Sequence, residues 1–216
     1  MDYISRYIKR LDNRGSDPTN AAINTSKRLQ NDKFNTSPSF SVVLVNGHFT
    51  DSIVNNETKY DEKMISFRPD TAVDIGSIVE YKVKTYLLIS FIDNEIYPKG
   101  KLKLCNETFP LTGDLVCREV GRDFLNRPIL ECTPSSQKSL PCIVENSYYI
   151  EKYDNAINLP ENQLRVTIPY TVHKDIEINK EFSMYGEMYK IIGIDRTQSI
   201  GGIGLMTIIC RRGVTE

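Results

Sequence analysis

A segment of about thirty residues occurs twice in this sequence, once before the middle and once at the C-terminus. The first copy runs from Asp74 to Cys105 and the second from Ile176 to Cys210. Each copy contains three short apolar runs separated by turn residues, which is the pattern of three consecutive strands. The repeat predicts an all-β chain of two small β-barrel or β-sandwich modules built on one plan, and it disfavours a single enzyme core.

Charge and length narrow the functional classes. The 216 residues are enough for one large domain or two small ones. The net charge of −1 disfavours a dedicated nucleic-acid binder, so any contact with DNA would rest on local patches. The first eleven residues lack the apolar core of a signal peptide, and no window approaches the roughly 20 apolar residues of a membrane span. We therefore expect a protein without a membrane partner, made in a reducing cytoplasm.

The residue types that usually carry chemistry are sparse and scattered. The two histidines, His48 and His173, are expected in exposed loops, although a cysteine–histidine pair formed in space stays open. The cysteines are odd in number and show no C-x-x-C spacing, which argues against both a zinc site and a disulfide framework. We predict no catalytic residue, no cofactor and no metal ligand. The five cysteines are Cys105, Cys117, Cys132, Cys142 and Cys210.

The N-terminal region, residues 1–40, is predicted as a short helix followed by an extended arm. Ile4, Tyr7, Ile8 and Leu11 are spaced to share one face of a helix. This face would pack either on the chain's own core or on a neighbouring subunit. Residues 17–39 are polar and offer little apolar surface to bury, which predicts a loosely ordered arm.

The remaining chain is predicted as two β modules. The first covers residues 41–160, with a hairpin turn at Asn46-Gly47 and an insertion of strands and loops over residues 106–160. The second covers residues 161–216. Asp93 and Asp195 follow the central strand of each repeat, where we expect them to cap turns.

Basic residues alternate along one predicted strand. Lys99, Lys101 and Lys103 project from the face opposite Leu102 and Leu104. On a monomer this is an ordinary solvated face, but in a ring it would be repeated around a channel and could face DNA phosphates. Weaker candidates of the same kind are Arg118, Arg122, Arg211 and Arg212.

Three stretches resemble a family of structural proteins from the head and neck region of tailed bacteriophages. They are residues 63–70 (KMISFRPD) with the strands that follow, residues 97–106 (YPKGKLKLCN), and residues 182–195 (FSMYGEMYKIIGID). The resemblance covers roughly residues 41–106 and 163–212. The chain departs from the family pattern at Tyr86, where a tryptophan is common, and in its long insertion.

The resemblance implies a head–tail connector or head-closure (stopper) protein of the virion, assembled in the host bacterial cytoplasm. Its partners would be copies of itself in a ring of about six or twelve, the portal or adaptor ring, tail-terminator or tail proteins, and packaged double-stranded DNA. Residues 13–40 and the insertion would mediate the contacts. The alternatives are a tail-completion or baseplate protein, or a carbohydrate-binding module with a platform of Tyr148, Tyr149 and Tyr153.

Overall fold

The computed structural model describes residues 3–5, 18–113, 115–134, 138–146 and 163–213. The chain divides into two compact units, Met1–Leu104 and Cys105–Glu216. The predicted boundary near residue 160 is therefore wrong. Strands that we assigned to an insertion in the first module pair with C-terminal strands and belong to the second unit.

Unit one contains a closed six-stranded antiparallel barrel in the order β1-β2-β3-β6-β5-β4. The barrel closes where Leu44 and Val45 of β1 pair with Glu80 and Val79 of β4. Its elements are α1 (Pro18–Thr36), β1 (Phe40–Val45), β2 (His48–Asn56), β3 (Glu62–Phe67), β4 (Ile78–Tyr81), β5 (Lys84–Ile92) and β6 (Lys99–Leu104).

Unit two repeats this strand order as β7-β10-β11-β15-β13-β12, with β8 and β9 forming a separate two-stranded sheet. The rings of Phe109 in β7 and Phe182 in β12 lie 4.8 Å apart, so the two end strands of the sheet share one core. The elements are β7 (Glu107–Leu111), β8 (Leu115–Arg122), β9 (Pro128–Pro134), β10 (Lys138–Asn146), β11 (Gln163–Pro169), β12 (Glu181–Met184), β13 (Glu187–Asp195), β14 (Ser199–Ile200) and β15 (Ile203–Arg212).

The internal repeat is confirmed and extends from three strands to six. The central strand of each repeat has a register shift at the same place, between Leu88 and Ser90 in β5 and between Ile191 and Gly193 in β13. Such β-bulges bend a strand and increase its twist, which helps a small sheet to curl. The all-β class with two related barrel-like modules is therefore confirmed.

Each unit has its own apolar core, formed by alternate residues of its strands. In unit one the core includes Ile65, Phe67 and Leu88, which have no exposed surface. In unit two Ile168 and Ile191 are equally buried. The period-2 pattern of the sequence therefore identifies the inward-facing side of both barrels.

The prediction of an extended arm over residues 17–39 is wrong, because Pro18–Thr36 forms helix α1. Proline is favourable at a helix start, where its missing N–H is not needed. The helix is polar but buries Phe34 completely, in edge-to-face contact with Phe40 of β1. Arg68 lies over the Phe34 ring and donates hydrogen bonds to Asp51 and to Asn35, both at 2.7 Å. Tertiary contacts therefore hold a helix that composition alone did not indicate.

The N-terminal apolar face is described only in part. Residues 3–5 are helical, as predicted, and Ile4 is exposed. Tyr7, Ile8 and Leu11 lie outside the described residues, so packing of this face stays a prediction. Within the described ranges, we find no helix with the length and apolarity required to cross a bilayer.

Candidate functional site

Unit two carries a hairpin that the barrel plan does not require. In unit one the strands β1 and β2 are joined by the two residues Asn46-Gly47, as predicted, with left-handed φ values of 49° and 83°. The equivalent strands β7 and β10 are joined instead by residues 112–137, which contain β8 and β9. We call residues 115–134 the inserted arm. Its position at a turn means that the barrel strands on either side pair without it.

The inserted arm exposes an unusual amount of apolar surface. Phe124 at its tip is 95% exposed, and four other large apolar side chains of the arm are about half exposed. Isolated two-stranded hairpins are marginally stable in water, and clustered exposed apolar side chains commonly mark a contact with another protein. Phe124 and Leu125 are such a cluster, because they are adjacent at the tip. The four other side chains are Val120, Leu125, Ile129 and Leu130.

The loop at the tip of the arm is held in one shape by an aspartate. Asp123 Oδ1 accepts hydrogen bonds from the backbone N–H groups of Leu125 and Arg127, both at 2.8 Å. The Asp123 N–H donates to the Arg127 carbonyl at 2.9 Å. These bonds present Phe124 and Leu125 on an ordered turn, which lowers the entropy cost of burying them against a partner.

A disulfide joins the two strands of the arm. Cys117 in β8 and Cys132 in β9 are directly opposed and are bonded to each other. Our expectation that the cysteines form no disulfide is therefore wrong for this pair. The odd count and the lack of a spacing motif gave no signal, because the pairing depends on the hairpin register.

The other cysteines have the properties of structural residues. Cys142 and Cys210 are fully buried, and Cys105 is partly buried. Burial raises the pKa of Cys105 and of Cys210 to about 12, and it raises the pKa of Cys142 as well. Thiols with raised pKa values are protonated at neutral pH, so they are poor nucleophiles.

The two histidines differ in their surroundings. His48 lies at the β1–β2 hairpin and is exposed, as expected. His173 is only 17% exposed in its side chain, so that part of the expectation is wrong. Its Nδ1 accepts a hydrogen bond from the N–H of Asp175 at 3.2 Å, and the Asp175 carboxylate accepts one from the N–H of Thr112. Partial burial by itself would raise the pKa of Asp175, but the hydrogen bond from Thr112 holds the pKa below its ordinary value. These bonds tie the end of β7 to the connection before β12.

The predicted lysine stripe on β6 faces outward, but its members are not equivalent. Lys99 is exposed, whereas Lys101 forms an ion pair of 2.6 Å with the buried carboxylate of Glu62. This hydrogen bond raises the pKa of Lys101. Lys103 lies directly opposite Glu62 in the β3–β6 ladder. The stripe is therefore partly neutralised by its neighbouring strand.

Asp93 and Asp195, which follow the central strands of the two repeats, differ in their role at the turn. Asp195 accepts a hydrogen bond from the Thr197 N–H at 2.8 Å, and this bond lowers the pKa of Asp195. In the first repeat the turn is capped by Asn94 instead. Its side-chain oxygen accepts hydrogen bonds from the N–H groups of Ile96 and Tyr97. Capping is confirmed for Asp195 and is supplied by the residue after Asp93 in unit one.

The described residues contain no group of three or more His, Cys, Asp or Glu side chains placed to hold a metal ion. The tyrosines proposed for a glycan platform, Tyr148, Tyr149 and Tyr153, lie outside the described ranges. The inserted arm lies within the insertion predicted over residues 106–160, but its exposed apolar tip was not predicted from the sequence. The signal was present in the run Phe124-Leu125, two large apolar residues inside a turn.

A family model described as "YomX C-terminal domain" matches residues 48–211. The match begins at the start of β2 and ends in β15, so it includes strands of both units. The chain belongs to the YomX C-terminal domain family. In this YomX-family chain the matched part includes residues of every barrel strand except β1 (Phe40–Val45).

The YomX-family chain is also similar to the "SPbeta prophage-derived uncharacterized protein YomX" of Bacillus subtilis (strain 168). The two are 31% identical over 144 residues, which is 65% of this chain and 67% of that protein. This relationship indicates a phage-derived protein. No solved structure matches the chain.

Proposed function

We propose that this chain is a structural, non-catalytic component of the neck of a tailed-phage virion. Copies of it form a ring of about six or twelve that connects the portal and head to the tail and helps to retain the packaged DNA. The single observation that carries the proposal is the inserted arm, with its exposed apolar tip. The resemblance to head and neck proteins and the relationship to a prophage protein support the same setting.

The arm is suited to a contact between subunits. It extends from unit two at a point where unit one has only a tight turn, so every copy would present one arm and one arm-free barrel. An arm that packs on a different surface of the next copy makes a heterologous contact, and contacts of this kind generate rings when the rotation closes. The preformed tip and the disulfide limit the freedom that such a contact must remove.

The proposal also assigns contacts to the N-terminal apolar face and to the lysine stripe of β6. The N-terminal face containing Ile4, Tyr7, Ile8 and Leu11 would contact a neighbouring copy or an adjoining ring. Lys99 and Lys103 would face the channel, where repetition around the ring multiplies a modest charge. Lys101 contributes less, because Glu62 neutralises it.

The unit-one hairpin supplies the design of a test. Leu111 and Lys138 are opposed across the β7–β10 ladder in the same way as Val45 and His48 across β1–β2. Residues 112–137 can therefore be replaced by Asn-Gly, which restores the turn of unit one. We expect the full chain to form an oligomer by native mass spectrometry, and the replaced chain to be a folded monomer.

A point variant keeps the arm but removes its apolar tip. Phe124→Ser with Leu125→Ser should weaken assembly while the circular dichroism spectrum and the melting temperature stay near those of the parent chain. Undiminished oligomers from the Asn-Gly replacement would reject the assignment of the arm. A monomeric parent chain at micromolar concentration would reject the ring itself.

A further inference from the structure

The outer face of unit two carries two adjacent cations that the barrel does not need. Lys190 of β13 and Arg211 of β15 are directly opposed in the ladder, and both point away from the core because their neighbours Tyr189 and Cys210 point inward. Like charges opposed across strands are destabilising. Glu181 on β12 is opposite Lys190 in the same row, so one positive charge of the pair remains uncompensated within the row.

The internal repeat provides a comparison for this position. The row in unit two reads Glu181, Lys190 and Arg211 across β12, β13 and β15. At the equivalent register of unit one, Leu87 takes the place of Lys190, opposite Lys103. The same barrel plan is therefore built with a single cation here, so the pair in unit two is not required by the fold.

Neither cation has a close partner of opposite charge. Among the described residues, no ion pair or side-chain hydrogen bond joins Lys190 or Arg211 to a carboxylate, although Glu181 is the cross-strand neighbour of Lys190. The next residue, Arg212, is held by Glu187. Arg165 on the neighbouring strand β11 is likewise paired, with Glu145 at 2.6 Å. The charge at Lys190 and Arg211 is thus available.

The two cations line a cleft rather than a flat surface. The cleft has a volume of about 430 Å³, within the range of small-molecule sites. Met188 and Ile192 supply its apolar wall, and both are partly exposed. Three cations, Lys190, Arg211 and Arg212, line this space together with one carboxylate, Glu181. The excess of cations suits a phosphate group, since arginine binds phosphate through paired N–H donors and lysine as a point charge.

We propose that this cleft is a binding site for phosphate groups, with Lys190 and Arg211 as the contacting cations. The phosphate could belong to a free phosphate ester or to a nucleic-acid backbone. The site lies away from the inserted arm in the chain's strand order, and the proposal does not depend on assembly or on the arm.

Binding to the full chain can be measured with three probes, namely inorganic phosphate, a deoxynucleoside monophosphate and a fluorescent DNA duplex of about 20 base pairs. The double variant Lys190→Gln/Arg211→Gln should raise the dissociation constant at least about tenfold for the probe that binds. For the duplex, the slope of log K against log salt should fall by about 2, because two phosphate contacts are lost. The matched control Lys82→Gln/Lys84→Gln removes the same charge from a hairpin of unit one and should leave binding unchanged.

A second readout separates the site from general surface charge. Removing the like-charge pair should raise the melting temperature of the unliganded protein, whereas added phosphate should raise it only in the parent chain. Binding of the small probes alone assigns the site to free phosphate esters, and binding of the duplex assigns it to a nucleic-acid backbone. Failure of all three probes to bind, or equal losses in the double variant and its control, would overturn the proposal.

Discussion

Val83 sits in a backbone conformation that valine disfavours, and the duplicated barrel contains its own control. The β4–β5 hairpin turns through Lys82-Val83 with φ values of 46° and 66°. The equivalent β12–β13 hairpin turns through Tyr185-Gly186 with φ values of 54° and 76°. These are two-residue turns with two left-handed residues, and the second position favours glycine or asparagine.

Two opposing contributions determine how much a substitution at Val83 changes the free energy of unfolding. A left-handed conformation costs an L-residue roughly 1–2 kcal/mol, with β-branched side chains at the unfavourable end. Glycine also increases the conformational entropy of the unfolded chain, which lowers the free energy of unfolding by about 0.4–1 kcal/mol and offsets part of this gain. Val83 is fully exposed, so its replacement removes no packing. Val83→Gly should therefore stabilise unit one by about 0.5–1 kcal/mol, and Val83→Asn by about 1 kcal/mol.

The reverse substitution in unit two tests the same reasoning. A side chain added at Gly186 would meet no atom within 4 Å, so Gly186→Val introduces backbone strain alone. We expect a loss of about 1 kcal/mol. Hydrogen exchange measured by mass spectrometry on peptides from each unit reads the two barrels separately, and 1 kcal/mol changes protection about fivefold. Faster exchange in unit one of Val83→Gly, or slower exchange in unit two of Gly186→Val, would refute the reasoning.

Three further predictions concern other parts of the chain. Phe34→Ala should cost roughly 3–5 kcal/mol of helix docking, and hydrogen exchange should show α1 losing protection while unit two is unchanged. Burial by itself raises the pKa of Glu62, but Lys101 and Lys59 hold it below its ordinary value of 4.5. This stabilisation is therefore present above that value and is lost as the pH falls through the folded pKa. Lys101→Met should lower the urea midpoint at pH 7, and the difference from the parent should shrink below about pH 4; a difference independent of pH would contradict this. Reduction of the Cys117–Cys132 bond should increase exchange in the arm alone, whereas destabilisation of both barrels would show a wider role.

The sequence predicted the strands best where apolar alternation and turn residues agreed. The run Tyr86 to Ile92 and the Asn46-Gly47 turn are found as expected, because both signals are local. The boundary between units was misplaced because β7 and β10 contain Pro110 and Pro141, and proline is uncommon inside paired strands. Both prolines are accommodated because β7 is the end strand of the sheet, and β10 pairs only with β7 at Pro141.

Features that depend on distant neighbours could not be predicted from pattern. Helix α1 was missed because its polar composition hides one buried anchor, Phe34, and the partner of that ring is in β1. The outward direction of Lys101 followed from alternation, but its neutralisation depends on the burial of Glu62 in the next strand. The Cys117–Cys132 bond likewise depends on a hairpin register.

The central claim is that many copies of this duplicated barrel close around an axis. Electron micrographs of the purified full-length chain, averaged along the particle axis, test it most directly. We predict closed rings of one size, with about six or twelve copies and a central channel. Isolated compact particles with the mass of one 24.7 kDa chain at micromolar concentration would contradict the claim.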